Sequence, residues 1–257
     1  MLRGMYSSIS AMINLQASQS VITNNMANIN TTGFKSETVV SKSFDELVLS
    51  NRDKYINGEG KSQELGSLNP GVRIDETVTN YTQGTIVSTD NDTDFAIDGK
   101  GFFTIEDRDG NRRYTRDGVF KVNSMGYLVT TSGDSVLGVN QTTNALEPIY
   151  VGNENISMDN RNNILLDSRI AYRFNIVDFQ DYNALNKVGQ NLFEGNNPME
   201  ANSYSVQNKV KETSNVDMID VTSALMSNLR AFEANQKVVQ VMDTTLSKIA
   251  NEIGSIR

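Results

Sequence analysis

Met218, Leu225, Phe232, Val239, Leu246 and Ile253 stand seven residues apart. A second row three residues later holds Val221, Met242, Ile249 and Ile256, with Asn228 and Asn235 in its two remaining places. A strict seven-residue apolar period puts one narrow seam on a helix and gives it a left-handed supercoil when it pairs. Ser214 or Asn215 is placed to cap this helix, and Asp217 falls in its first turn. A helix of about 40 residues spans ~60 Å. The plain alternative, a surface helix packed on its own globular core, calls for a broader apolar stripe. Each fully buried seam side chain contributes ~1.5–3 kcal/mol. A single partner helix leaves the flanking Leu229, Val238 and Val241 uncovered, so the pattern favours assembly with further helices. The two seam amides lower stability but select register and partner number, because a shifted packing strands a buried polar group.

The other end of the chain carries a matching stripe. Leu2, Met5, Ile9, Met12, Leu15, Ile22, Met26 and Ile29 recur at steps of three or four across residues 1–30, with Gln19 filling one turn. The stretch NNMANINTTGFK then brings in Asn24, Asn25 and Asn28, which are poor helix formers. Amides on this helix, as on the C-terminal one, would fix its register in a buried packing. Gly33 is the expected helix stop, because it tolerates the left-handed conformation. The expectation is that the two ends pair as a coiled-coil hairpin.

Between them the period changes. Residues 36–80 open on Phe44, Leu47, Val48 and Leu49 and turn polar and Gly-rich, which reads as a partly extended connector. From about 81 to 210 short β patterns dominate: GTIVST, DFAID, a hairpin in GFFTIEDRDGNRRYT turning at Asp109-Gly110, and another in VFKVNSMGYLVTT. In RIAYRFNIV, Ile170, Tyr172, Phe174 and Ile176 alternate with polar neighbours. The fold class is α+β, with terminal helices around a mostly antiparallel β domain. The divisions are 1–35 (N-terminal helix), 36–80 (connector), 81–210 (β domain) and 211–257 (C-terminal helix).

Composition narrows the chemistry. There is no His and no Cys, which removes thiol nucleophiles, Ser-His-Asp triads and thiolate or imidazole zinc sites. The net charge of −8 with scattered Lys and Arg argues against nucleic acid and anionic membranes as partners. No apolar run is long enough to span a bilayer, and the N-terminus lacks the pattern of a cleaved signal peptide. The hydrophobic fraction, 38%, is low enough to suggest that part of the apolar surface is covered only by partners. Asp90, Asp92 and Asp94, and the DRDGN turn, resemble the opening of a calcium loop but lack its distal Glu. GKG at 99–101 reads as a turn. No catalytic, metal or cofactor-binding residue is assigned.

Three segments together carry a resemblance: the Asn-rich stretch ending TTGFK; DFAIDGKGFFTI followed by YTRDGVFKVNSMGYLVT; and ETSNVDMIDVTSALMSNLRAFEANQKVVQVMD. In this order and spacing they resemble the signatures of the bacterial flagellar rod and hook axial proteins. The length and the motif at Arg230, Ala231, Phe232, Glu233, Ala234 and Asn235 are most similar to the distal-rod class. The connector departs from that class, which keeps a proximal-rod or hook-type subunit open. The resemblance implies a non-enzymatic subunit without cofactor, located in the flagellar basal body. It implies self-assembly into a hollow helical tube that transmits torque from motor to hook. The helices would line the tube and the β domain would sit outside. Implied partners are further copies, other rod and hook proteins and the flagellar type III export apparatus, which passes subunits without a cleaved signal. Neither nucleic-acid binding nor membrane insertion is implied. A carboxylate-dependent glycoside hydrolase and an exported adhesin or chaperone-like coiled-coil binder are the alternatives from other classes.

Overall fold

Small and unbranched side chains dominate residues 2–27, and in the computed structural model they form helix α1, Leu2–Ala27. The structure describes residues 2–56, 59–159, 161–189 and 191–255, and within these the side chains of Leu2, of 51–63 and of 253–255 are left out. After Ala27 the chain breaks into tight turns: the Asn28 N–H reaches the Asn25 carbonyl (3.2 Å), and the Thr31 N–H that of Asn28 (3.1 Å). The Thr31 hydroxyl also donates to the Asn28 side chain (3.2 Å), so local side-chain bonds replace the helical ladder here. Ile29 therefore lies beyond the helix and not on its last turn.

Helix α2, Met218–Ser255, has 38 residues. That is ~57 Å at the usual rise. Its start places Asp217 at the cap position, with Asp220 in the first turn where the helix dipole favours negative charge. Ser214 and Asn215, the expected caps, are used otherwise. The Ser214 hydroxyl accepts from the Val216 N–H (3.2 Å), and Asn215 bonds to other segments.

The segment expected to be a connector holds four strands: β1 Glu37–Ser43, β2 Leu47–Ile56, β3 Glu59–Leu68 and β4 Val72–Thr79. β1 pairs with β4, and β2 with β3, as two-stranded ribbons. The β2–β3 register shifts twice, between Leu49 and Ser50 and between Asn51 and Lys54. Most of the described side chains of β1 and β4 are exposed, so little inside-outside alternation marks them in the sequence.

The chain divides into two units. The first comprises residues 1–24, 37–78 and 219–257, the second residues 25–36 and 79–218. In the first, α1 meets its neighbouring strands through small polar contacts. The Val72 N–H donates to Ser10 Oγ (3.3 Å), and Asn14 Nδ2 to Ser41 Oγ (2.7 Å). A Cβ on Gly71 would stand 2.2 Å from Ser10 Oγ, so only glycine allows this approach. Among the described residues, all fully buried hydrophobic side chains belong to the second unit.

That second unit is built on a 13-stranded sheet. Its central strands, Phe102–Glu106, Arg112–Thr115 and Ser135–Asn140, pair antiparallel. The hairpin turn between the first two has Gly110 at φ 80, as an Asp-Gly turn requires. Strand Phe95–Gly99 pairs with Tyr204–Asn208, and Ile86–Ser88 with Val210–Glu212, which leads directly toward α2. The core centres on Phe95, Phe103, Phe120 and Phe174, whose rings meet at 4.9–6.3 Å. A second cluster gathers Phe102, Tyr114, Phe179 and Phe193. Phe174 and Ile176 are core residues, whereas Ile170, at the turn end of its strand, is half exposed.

Candidate functional site

The TTGFK segment that follows α1 and the ETSN segment that precedes α2 are tied together inside the second unit. The Gly33 N–H donates to the Glu212 carbonyl (2.9 Å) and the Asn215 N–H to that of Phe34 (3.4 Å). The Ser36 N–H donates to Asn215 Oδ1 (2.8 Å), while Asn215 Nδ2 donates to the carbonyls of Asn80 (2.8 Å) and Thr82 (3.2 Å). Phe34 is buried, with the Lys187 ammonium 4.5 Å above its ring.

The centre of this clasp is ionic. Lys35 Nζ lies 2.5 Å from Glu212 Oε1 and donates to the Thr82 carbonyl (2.8 Å). Glu212 Oε1 also accepts from the Gly84 N–H (3.0 Å), and Oε2 faces Arg116 Nη1 at 3.5 Å. Arg116 Nη2 donates to the Gly99 carbonyl (2.8 Å), and its guanidinium stands 5.4 Å from the Phe102 ring. Lys35 and Glu212 are inaccessible to solvent at their side chains, and Arg116 is nearly so. Two cations thus share one buried carboxylate. Burial pushes the Lys35 ammonium below its ordinary range, with Glu212 opposing that shift. Arg116 Nε, also buried, has no hydrogen-bond partner among the described residues, so the two cations depend on Glu212 for their compensation.

Thr32 completes the clasp. Its hydroxyl donates to Asp117 Oδ1 (2.6 Å), which also accepts from the Val119 N–H (3.1 Å), and Asn191 Nδ2 donates to the Thr32 carbonyl (2.8 Å). Burial raises the Asp117 carboxyl above its ordinary value of 3.8, opposed by the Thr32 and Val119 hydrogen bonds. Between that value and the raised one, the folded state keeps a proton that the unfolded chain has lost. The Asp117 contribution therefore declines as pH rises through this window. Asp117→Asn preserves the Oδ1 acceptor without the charge. It is expected to raise the melting temperature at pH 7, and the gain should vanish below pH 3.8, in thermal melts followed by circular dichroism.

Gly33 has the expected left-handed φ of 67, yet it lies past the end of α1 and does not stop it. A Cβ there would stand 2.4 Å from the Asp117 nitrogen and 2.5 Å from the Arg116 carbonyl carbon, both backbone atoms. The position requires glycine for conformation and for close approach. Gly33→Ala is expected to cost about 2–3 kcal/mol, read as a lower melting temperature of the second unit.

The helix residues singled out by period are placed as follows. On α2, Val221, Leu225, Phe232, Asn235, Val239, Met242 and Leu246 are half-buried, and Asn228 is buried. Between Met218 and Glu252 every other α2 residue except Ala231 is exposed. Met218 and Ile249, assigned to the same rows, are exposed and stand near the two ends of the helix. On α1, Met5, Met12, Leu15, Ile22 and Met26 are half-buried, as is Ile29 beyond it. Ile9 falls instead on an exposed line with Arg3, Tyr6, Ile13 and Gln16, because the helical period carries it round to that face. Leu2, Ile253 and Ile256 lie outside the described side chains. Asn235 Nδ2 donates to the Ala231 carbonyl of its own helix (2.9 Å), while Asn228 Oδ1 has no hydrogen-bond partner among the described residues. A Cβ on Gly4 would stand 2.9 Å from Met242 Cε.

Two of the acidic residues weighed as a metal or hydrolytic set, Asp92 and Asp94, make structural contacts. Asp92 pairs with Lys209 (2.8 Å), and Asp94 is buried, accepting from Asn91 Nδ2 (3.3 Å). Sequence reasoning missed Lys35, Arg116, Asp117 and Glu212, and read Asn215 only as a helix cap. No spacing rule joins residues so far apart in the chain, although charged residues inside otherwise small and apolar motifs were a usable signal.

Comparison with known proteins matches three stretches of the chain. Residues 5–35 match the family described as flagella basal body rod protein, residues 96–170 the flagellar hook protein FlgE/F/G D1 domain, and residues 207–252 the flagellar basal body rod FlgEFG protein C-terminal region. The clasp draws on all three: Gly33 and Lys35 from the first, Arg116 from the second, Glu212 and Asn215 from the third. A flagellar hook-basal body complex protein FlhO of Bacillus subtilis is 32% identical, with 100% of each chain covered. A flagellar basal-body rod protein FlgG of Bacillus subtilis is 31% identical, covering 98% of this chain and 99% of its own. A flagellar basal-body rod protein FlgF of Caulobacter vibrioides is 32% identical, with 96% of each covered.

Proposed function

The chain belongs to the family of flagellar basal-body rod proteins, and from that membership we infer that it is a structural subunit of the bacterial flagellar rod, located in the basal body. The family is a structural one and not a family of enzymes.

The mechanism is a polymer argument, and one observation carries it: among the described residues, the unit containing most of α1 and of α2 has no fully buried hydrophobic side chain. It leaves Tyr6, Ile13, Ile219 and Val241 more than half exposed. An apolar surface of this kind is completed by neighbours. The two helices pair antiparallel as a coiled-coil hairpin. Support comes from the clasp, which ties residues 33–36, after α1, to residues 212–215, before α2, and from Gly4 lying against Met242. Those points are separated by similar lengths of the two helices, so one straight pair accommodates both. α2 is the longer helix, 38 residues against 26, so its last turns around Ile249 outrun α1 and remain for other copies.

Identical subunits joined head to tail by such contacts generate an open helix, here a hollow tube that transmits torque from motor to hook. Residues 1–35 and 211–257 form its coiled-coil core, and 81–210 the outer β domain. Its partners are further copies and other rod and hook components, and the flagellar export apparatus delivers it. FlgG-named and FlgF-named relatives match at similar identity, so a distal rod subunit is proposed with a proximal or hook-type one as the alternative. Deleting the gene and imaging purified basal bodies tests the reading. Rods that stop short of the hook are expected; complete rods bearing hooks would overturn it.

A further inference from the structure

Away from the clasp, Tyr127, Tyr150 and Tyr172 line one cleft of about 390 Å³ together with Glu147, Asn123 and Met125. The Tyr127 and Tyr150 rings stand 5.3 Å apart at 73°. Burial pushes the Tyr172 phenol above its ordinary range, and the neighbouring Glu147 carboxylate adds to that shift. Glu147 Oε1 accepts from Asn140 Nδ2 (2.6 Å), so the acid is held in place. It is the only charged residue among the described ones lining the cleft, and no Lys or Arg among them pairs with it. A second cleft of about 520 Å³ lies beside it, also lined by Asn123, Met125 and Tyr150. Between them Met125 is left largely uncovered and Tyr150 about half exposed.

Aromatic faces carry negative quadrupole potential, and a fixed carboxylate beside them adds a full charge. Such a site suits an organic cation with an aliphatic stem. We propose that this cleft binds a lysine or arginine side chain presented by a partner protein with a basic surface, the neighbouring cleft taking the adjoining chain. Charge favours such a partner over another copy: the chain has 31 acidic against 23 basic residues. The site involves neither helix.

The test titrates the full-length protein with a capped peptide of alternating Gly and Lys, and with its Glu counterpart. The chain has no Trp, and three of its nine Tyr line the cleft, so tyrosine emission follows binding there and calorimetry gives the affinity. Saturable binding of the Lys peptide alone is expected. Glu147→Gln and Tyr150→Leu should each weaken it about fivefold, with unchanged circular dichroism. Tyr150→Leu keeps apolar bulk over Gly126, whose Cβ position lies 2.8 Å from the Tyr150 ring, and leaves the net charge untouched. Binding of both peptides alike, or Lys-peptide binding unchanged in both variants, would overturn the proposal. So would self-association that Glu147→Gln abolishes, since that assigns the cleft to a second copy.

Discussion

Glu212→Gln is expected to lower the stability of the second unit by about 3–5 kcal/mol, the usual cost of leaving buried charges without their counter-ion. The amide oxygen that replaces the carboxylate can still accept from the Gly84 N–H, so the backbone bond survives while the charge is lost. Lys35 and Arg116 then face each other's field across the same site, with solvent excluded from both. A loss of this size should appear as a melting temperature lower by about 10 °C for a unit of this length. Lys35→Met in the same chain removes one of the stranded cations. The double variant should therefore melt above Glu212→Gln alone, which is the non-additivity of partners in one network. A Glu212→Gln melt that matches the parent protein would show that the clasp is dispensable. The same network ties the segment that follows α1 to the segment that precedes α2.

The second large effect concerns the seam. Phe232 and Leu246 are half-buried on α2, in line with Leu225 and Val239. An aspartate at either place puts a charge into a packing without a counter-ion, which costs several kcal/mol or forces the helices apart. Phe232→Asp and Leu246→Asp are each expected to abolish polymerisation, measured by sedimentation and electron microscopy, and to abolish motility in the complemented strain. The second unit should melt unchanged, because its core contains neither residue. Normal filaments from both variants would place the assembly contacts elsewhere.

The helices and the β middle were legible because each imposes its own period over many residues. The seven-residue spacing from Met218 to Ile253 needs no tertiary information, and the Asp-Gly hairpin between Phe103 and Tyr114 is a local device. The four strands over 37–79 were not legible, since two-stranded ribbons with mostly exposed described side chains write little alternation. The end of α1 was placed late for a related reason: Ile29 continues the apolar step, but Asn25 and Asn28 close turns instead. The clasp was invisible to pattern reading. Lys35, Arg116 and Glu212 are brought together only by the pairing of Val210–Glu212 with Ile86–Ser88 and by the approach that Gly33 permits.

Antiparallel pairing of the terminal helices is the central claim, and a distance measurement reaches it most directly. The chain has no native cysteine, so nitroxide labels can be placed at Gly4→Cys with Met242→Cys, and at Gly4→Cys with Val221→Cys. Pulsed dipolar spectroscopy of the assembled protein, diluted with unlabelled subunits, should give a distance under about 20 Å for the first pair. The second pair should lie about 30 Å apart, from the helical rise between positions 221 and 242. The reverse order, or both pairs well beyond 30 Å, would contradict the pairing and the tube built on it.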